Sequence, residues 1–287
     1  MEIKDDILIY KHLESKNLNF SLENSGTLTV NSSFISINSQ STNFQIRNSK
    51  EIFLSYLNKL YHFKLPNKSN LNTNISNKIK RKYNSIIFFD WDDTLLCSSF
   101  LSKNGFFDEE QMGEVNVNLI KELLIELEFH VLNVLSISIK LGDTYIITNA
   151  SEGWVESSAT KFLPKITQLF NKIKIISARR AYENQFPNNS KIWKLAVFRD
   201  IGNLYNKNAV TNIISFGDSI IENDAAVKFG SLFKECFIKT IKLKEEPKIE
   251  DMIKQLELIS KQFNFIHSSA RDIFLVVEKK GHNKNKK

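Results

Sequence analysis

Cysteine is scarce in this chain of 287 residues, which contains only Cys97 and Cys236. Two cysteines in a chain of this length provide no disulfide framework, and neither belongs to a Cys-x-x-Cys pair or a Cys/His cluster with the spacing of a zinc site. The histidines, among them His62, His130 and His267, show no ligand spacing either. We therefore expect two buried thiols in a reducing compartment.

The sequence also lacks long apolar segments. No run approaches the roughly 20 apolar residues that a membrane-spanning helix requires. The N-terminal Met-Glu-Ile-Lys-Asp-Asp is not a basic region followed by an apolar stretch, as a secretory signal would be. We expect a soluble, cytoplasmic protein without a membrane partner, and a nuclear location stays open.

Arginine is scarce in a chain whose 39 basic residues exceed its 32 acidic residues and give a formal charge of +7. The lysines are spread along the chain instead of forming one stripe, which favours a solvated basic surface over a nucleic-acid interface. The lysine-rich residues 279–287 are typical of a solubilising tail. A positive field of this kind favours anionic substrates.

The clearest boundary in the chain is a segment rich in Asn, Ser and Lys at residues 65–84, which predicts a flexible linker. Before it, residues 1–64 form an N-terminal appendage with short strands between 26 and 45 and one amphipathic helix over 51–63. A docking element and a partly disordered segment are both open for this part. After the linker, residues 85–270 form the main domain, and residues 271–287 form a C-terminal strand and basic tail.

Apolar runs alternate with helical patterns in the main domain, which predicts a Rossmann-like α/β fold. Its parallel sheet has about five strands and is covered by helices on both faces. The strands are expected at 85–89, 143–147, 172–176, 212–216 and 236–243. The helices are expected at 118–141, 152–171, 191–204, 221–229 and 249–263.

Three carboxylates follow the first strand at once, in the order Asp90, Trp91, Asp92, Asp93, Thr94. Function gathers at the carboxyl ends of strands in an open α/β sheet, so Asp90 and Asp92 are placed for catalysis. One carboxylate at a strand end can attack phosphorus while a second one, on the following turn, donates a proton to the leaving oxygen. This pattern therefore favours phosphoryl transfer.

A further carboxylate, Asp218, follows Gly217 at the end of the fourth strand. Oxygen ligands from two strand ends, with no His or Cys nearby, favour Mg²⁺ over zinc or copper. We interpret Gly217 as the residue that lets the backbone turn sharply and Asp218 as a metal ligand.

Two further positions complete the pattern. Thr148 and Asn149 end the second strand and offer a hydroxyl and backbone N–H groups to a phosphate. The helix before the fourth strand begins with Lys191 and Lys194, either of which could neutralise phosphate charge.

These residues resemble the four sequence motifs of the haloacid dehalogenase superfamily in both content and order. The motif residues are Asp90, Asp92 and Thr94, then Thr148, then Lys194, then Gly217 and Asp218. The stretches 89–94, 148–155, 176–179 and 215–219 also resemble a group of such proteins in microbial eukaryotes. The match spans about residues 85–229.

The resemblance implies a Mg²⁺-dependent phosphatase that works through an aspartyl-phosphate. Asp90 would be the nucleophile, and Asp92 would protonate the leaving group and then activate water. Thr148 and Lys194 would hold phosphoryl oxygens, with Lys194 preferred over Lys191 by its separation from the last motif. The metal would be bound by Asp90, by the Asp92 carbonyl and by Asp218, and the last acidic position is either Glu222 or Asp224.

The substrate stays open, because the intervals in which this superfamily carries cap domains are short here. An open site favours a bulky substrate such as a phosphoprotein, while small phosphoesters stay an alternative. A phosphotransferase would use the same residues, and a non-catalytic scaffold would not require them. The oligomeric state is not predicted.

Other residues near the motifs have simpler interpretations. Cys97 lies close to acidic residues that would raise its pKa, so it is a poor nucleophile. Packing is favoured over a role as a substrate platform for Trp91, Trp154 and Trp193.

Overall fold

The computed structural model describes residues 84–107 and 117–279, together with three short strands closer to the N-terminus. The expected helix over 51–63 lies outside the described residues, as does the expected linker apart from Asn84. Within the described part of the chain, no helix is long and apolar enough to cross a membrane.

The strands of the described residues form two separate sheets. A small antiparallel pair joins β1 to β2, and the other seven strands form one sheet in the order β3-β9-β8-β7-β4-β5-β6. Six of these seven, from β9 to β6, run parallel, and β3 is antiparallel to β9 at the edge. The strands are β1 Phe20–Leu22, β2 Leu28–Val30, β3 Phe44–Asn48, β4 Asn84–Phe89, β5 Asp143–Thr148, β6 Lys174–Ser177, β7 Val210–Gly217, β8 Phe237–Lys242 and β9 Ile273–Lys279.

Helices cover both faces of the large sheet. They are α1 Ser98–Lys103, α2 Val117–Leu141, α3 Trp154–Phe162, α4 Ala178–Tyr182, α5 Ser190–Asn203, α6 Ile220–Gly230 and α7 Ile249–Ser268, with a 3-10 helix at Pro164–Lys172. Helices α1, α2, α3 and α7 contribute to one hydrophobic core, and helices α4, α5 and α6 contribute to the other.

The first strand of the main domain shows why its sequence is a continuous apolar run. Successive side chains of a strand point to opposite faces. Ile87 and Phe89 therefore join the core on one face, and Ile86 and Phe88 join the core on the other. Because both faces are buried there, β4 is a continuous apolar run from Ile86 to Phe89. The prediction of an α/β fold with a helix-covered parallel sheet is confirmed.

The prediction of a single helix over 152–171 is wrong. Helix α3 ends at Phe162, and a separate 3-10 helix begins at Pro164. Proline has no backbone N–H and disfavours helical geometry in the residue before it. Leu163 accordingly has φ −138° and ψ 56°, which ends α3.

Strand β3 extends the large sheet from within the expected N-terminal appendage. It pairs with β9 along its whole length, from Phe44 opposite Lys279 to Asn48 opposite Leu275. The β9 strand in turn falls within the segment where a C-terminal strand was expected. An N-terminal strand and a C-terminal strand therefore meet at one edge of the sheet.

Candidate functional site

The candidate site lies where three neighbouring parallel strands end. Strand β4 is the middle one, between β5 and β7. The Asp90 backbone N–H donates to the Phe216 carbonyl at 3.0 Å, which extends the β4–β7 ladder by one residue and holds Asp90 beside Gly217. The sheet topology therefore brings the ends of β4, β5 and β7 to one edge.

Three carboxylates and one ammonium group form the centre of this site. Oxygens of Asp90, Asp218 and Glu222 lie within 4.8 Å of one another. The Lys194 Nζ is 2.7 Å from Asp90 Oδ1, and it also donates to Glu222 Oε1. Asp90, Lys194 and Glu222 are all buried. Residues from β4, α5, β7 and α6 are thus brought together, although they are far apart in the sequence.

The cluster contains three carboxyl groups and one ammonium group. Burial raises the pKa of Asp90 well above its ordinary value, the charges of Glu222 and Asp218 raise it further, and only Lys194 lowers it. Burial, together with repulsion from Glu222, raises the pKa of Asp218 to about 7. Burial lowers the pKa of Lys194, but its two carboxylate partners outweigh this and raise it. A second cation beside Lys194 would offset the remaining negative charge.

Glu222 is held in the cluster by its local structure. Ser219 is the N-cap of α6, and its Oγ donates to Glu222 Oε2 at 2.5 Å. A Cβ on Gly217 would lie 2.5 Å from Glu222 Cγ and 2.7 Å from Glu222 Cβ. The sequence predicts a sharp turn at Gly217, whereas the structure indicates close approach of a side chain. A glycine is needed here because any larger residue would displace Glu222.

The second carboxylate of the motif, Asp92, lies on the side of the site toward β5. Its Oδ2 accepts from Thr148 Oγ1 at 3.2 Å, and its Oδ1 accepts from Trp154 Nε1 at 2.9 Å. The Thr148 Oγ1 itself accepts from the Ala150 backbone N–H at 2.9 Å. Both oxygens of Asp92 are therefore oriented by side chains from β5 and α3.

Trp154 combines packing with this hydrogen bond. Its ring lies 5.2 Å from that of Phe107, which contacts Phe162 at 5.1 Å. Gly153, the N-cap of α3, has a positive φ of 80°, a conformation that glycine adopts without strain. The sequence favours packing for Trp154. The indole N–H was the one sequence feature that indicated a further role, because a buried indole N–H usually finds a hydrogen-bond acceptor.

The residues around Asp92 form a tight turn. Asp93 has φ 54°, and its Oδ1 accepts from the Ser99 backbone N–H at 3.0 Å. Asparagine and aspartate tolerate this left-handed conformation better than most residues.

Burial raises the pKa of Cys97 to about 12, so its thiol is not ionised at neutral pH.

The other sequence-predicted residues are placed as follows. Asp224 lies outside the acidic cluster found among the described residues, whereas Glu222 is part of it. Lys191 is exposed on the first turn of α5. Within the described part of the chain, the buried Thr94 Oγ1 and Asn149 Oδ1 have no hydrogen-bond partner. Trp91 and Trp193 are buried and donate to Ser158 Oγ and to the Phe186 carbonyl.

Comparisons with protein-family models, with curated proteins and with solved structures gave no match for this chain. Its function is therefore inferred from the residues themselves and from their geometry.

Proposed function

We propose that this chain is a Mg²⁺-dependent phosphatase of the haloacid dehalogenase type that hydrolyses phosphomonoesters through an aspartyl-phosphate at Asp90. The observation that carries the proposal is the buried contact of Asp90 with Lys194, beside Asp218 and Glu222. A strand-end carboxylate next to a fixed ammonium group suits attack on a phosphoryl dianion, because the ammonium offsets the repulsion between the two.

The donor set of the cluster fits a magnesium ion. It offers carboxylate oxygens from Asp90, Asp218 and Glu222, and no nitrogen or sulfur ligand. Asp90 and Asp218 would hold the ion together with the Asp92 carbonyl. Bound Mg²⁺ would neutralise charge on the carboxylates and on the phosphoryl oxygens.

The first half of the reaction uses Asp90 and Asp92 in different roles. Asp90 attacks phosphorus and forms a P–O bond while the bond to the leaving oxygen breaks. Asp92 gives its proton to that oxygen, which departs as an alcohol. The Thr148 hydroxyl donates its single hydrogen to Asp92. It would turn from Asp92 to donate to a phosphoryl oxygen when substrate binds.

The second half returns the site to its starting state. The Asp92 carboxylate takes a proton from water, whose oxygen attacks phosphorus and breaks the bond to Asp90. The products are inorganic phosphate, free Asp90 and protonated Asp92. Lys194 is paired with the free Asp90 carboxylate, and it would hold a phosphoryl oxygen while Asp90 is esterified.

A non-catalytic scaffold has less use for this cluster. Burying one ion costs on the order of several kcal/mol, even after the protein relaxes around it. A fold with apolar residues in place of a buried ion pair is often more stable. A scaffold would gain stability by replacing Lys194 and Glu222 with apolar residues, whereas a phosphatase requires their charges.

The test is to measure hydrolysis of an aryl phosphate and to locate the phosphoryl group on the protein after rapid acid quench. We expect activity that requires Mg²⁺, and label on Asp90. The Asp90→Asn variant should bind substrate but turn over at least about 10⁴-fold more slowly, because removing a covalent nucleophile costs that order of rate. Asp93→Asn is the matched control, because its oxygen binds the Ser99 N–H outside the cluster. Label on Asp92 or Cys97, or full activity in Asp90→Asn, would refute the proposal.

A further inference from the structure

A cavity of about 560 Å³ opens beside Thr148, between the ends of β5 and β6 and the beginning of α3. A volume of this size is typical of sites for small molecules. Its lining combines apolar side chains, hydroxyls and three charged groups. The residues most relevant to its chemistry are Thr148, Glu152, Glu156, Ile176, Arg180 and Ala181.

The position of the cavity relates it to one side of the catalytic site. Thr148 lines the cavity and hydrogen-bonds Asp92, whereas Asp90, Lys194 and Asp218 are not among its lining residues. In the proposed reaction, Asp92 protonates the leaving oxygen. An organic group attached to that oxygen would point toward Thr148 and the cavity beside it.

The sources of positive potential in the cavity are already matched by carboxylates. The Arg180 Nε donates to Glu152 Oε2 at 3.2 Å. The N-terminus of α3, which carries a partial positive charge, has Glu156 in its first turn. The formal charge of the lining is negative, since Glu152 and Glu156 outnumber Arg180. A second phosphate or carboxylate on the substrate would meet no unmatched cation among these lining groups.

We propose that this cavity is the leaving-group subsite and that it selects small phosphomonoesters whose alcohol carries no second negative charge. This inference rests on the proposed function and adds a substrate class to it. Ile176 and Ala181, which are only partly buried, provide apolar contact for the carbon atoms of the alcohol. The carboxylates favour neutral or amine-bearing groups over anionic ones. Small phosphomonoesters, not phosphoproteins, are then the substrates that fill the site.

A matched series of two-carbon phosphates tests the selection by charge. Phosphoethanolamine, ethyl phosphate and phosphoglycolate differ mainly in carrying an ammonium, a neutral or a carboxylate group. We expect kcat/KM to be lowest for phosphoglycolate, by about fivefold relative to ethyl phosphate, which is the scale of one exposed charge pair. A phosphoserine peptide is measured in parallel and should be a poorer substrate than ethyl phosphate.

Two single-charge variants separate the cavity from the overall charge of the protein. Glu152→Gln releases Arg180 inside the cavity. Glu183→Gln makes the same charge change and releases Arg179, its partner at 2.9 Å, outside the cavity lining. Only Glu152→Gln should raise kcat/KM for phosphoglycolate relative to ethyl phosphate, by roughly threefold. Because the ratio is compared between variants, the intrinsic reactivities of the two esters cancel.

The outcomes distinguish this inference from the proposed function. If aryl phosphate is hydrolysed through Asp90 but the two variants change the ratio equally, the subsite assignment is wrong and the phosphatase assignment stands. The same holds if the phosphopeptide is the best substrate. If no phosphate ester is hydrolysed in an Asp90-dependent way, both proposals fail together.

Discussion

At the end of β4, one ammonium group faces three carboxylates. Lys194 contacts Asp90 and Glu222 directly, and Asp218 completes the group. Buried charges of one sign destabilise a fold unless a counter-charge is present. The residues therefore make the binding of a cation favourable for the folded state as well as for the reaction.

Magnesium should accordingly stabilise the folded protein without any substrate. At a free Mg²⁺ concentration roughly 100 times its Kd, the free energy of unfolding should rise by about 2.7 kcal/mol. Thermal unfolding with and without Mg²⁺ measures this as an increase in Tm. The increase should be largely lost in Asp218→Asn and retained in Asp224→Asn. If both variants lose this increase in Tm equally, Asp224 is again a candidate metal ligand.

Trp154 is expected to position Asp92 for proton transfer. Trp154→Phe keeps an aromatic ring against Phe107 but removes the N–H that binds Asp92 Oδ1. A hydrogen bond to a charged group contributes about 1.5–3 kcal/mol, so kcat should fall at least about tenfold for alkyl phosphates. It should fall much less for aryl phosphates, whose oxygen departs without a proton.

The same dependence on leaving group should appear, more strongly, in Asp92→Asn. Ser158→Ala is the control for Trp154→Phe, because it removes the acceptor of the Trp91 indole and loosens α3 without touching Asp92. If Ser158→Ala gives the same selective loss on alkyl phosphates, Trp154 acts only through the packing of α3.

Cys97 should be inert in the folded protein. Its side chain is buried, and burial raises the pKa of its thiol to about 12. Alkylation requires the thiolate. Iodoacetamide at pH 8 should therefore leave Cys97 unmodified in the native protein and modify it after unfolding in denaturant, as read by mass spectrometry. Rapid native labelling would show that the turn after β4 opens.

At the scale of whole elements, a close approach between β7 and α6 shapes the site. Gly217 ends β7, and Glu222 lies in the first turn of α6, with no room between them for a Cβ. The spacing of these two residues is thus a packing constraint between a strand end and a helix start.

Gly217→Ala should displace Glu222 and weaken the cluster. Overpacking of this kind costs about 1–3 kcal/mol of stability. We also expect a higher Mg²⁺ concentration for half-maximal activity. Gly230→Ala, at the other end of α6, is the control, because a Cβ there would lie 2.4 Å from Ile238 Cδ1. Both variants should have a lower Tm, but only Gly217→Ala should change the Mg²⁺ dependence. If neither variant changes the Mg²⁺ concentration for half-maximal activity, displacement of Glu222 does not weaken the metal site.

The elements of the sheet could be predicted because their burial leaves a simple pattern. A strand such as β4 is apolar from Ile86 to Phe89, where both faces are covered. The break at Leu163 could have been expected from Pro164, but the helical pattern on both sides concealed it. The hydrogen bond from Trp154 to Asp92 could not be predicted from the sequence, because it depends on the left-handed backbone at Gly153 and on the register of α3. Contacts of this kind are set by tertiary structure and leave little trace in one sequence.

For the molecule as a whole, the order of strands separates the site from the edge where the N-terminal and C-terminal strands meet. The site lies at the ends of β4, β5 and β7, whereas β3 is the strand at one edge of the sheet. Strands β8 and β9 lie between β7 and β3. The edge strand can therefore affect stability without contacting the reacting groups.

Deletion from the N-terminus should separate these two effects. Removing residues 1–43 retains β3 and removes the small sheet of β1 and β2, so Tm and kcat should stay close to those of the full chain.

Removing residues 1–80 also deletes β3 and exposes the backbone N–H and C=O groups of β9. This shorter protein should have a lower Tm and a greater tendency to aggregate. Its kcat for an aryl phosphate, measured below its unfolding transition, should nonetheless change less than about threefold, since deletions distant from a rigid site act mainly on stability. Thermal unfolding and initial rates measure the two quantities on the same samples. A large loss of kcat in well-folded protein lacking residues 1–80 would show that the N-terminal part contributes to the site itself.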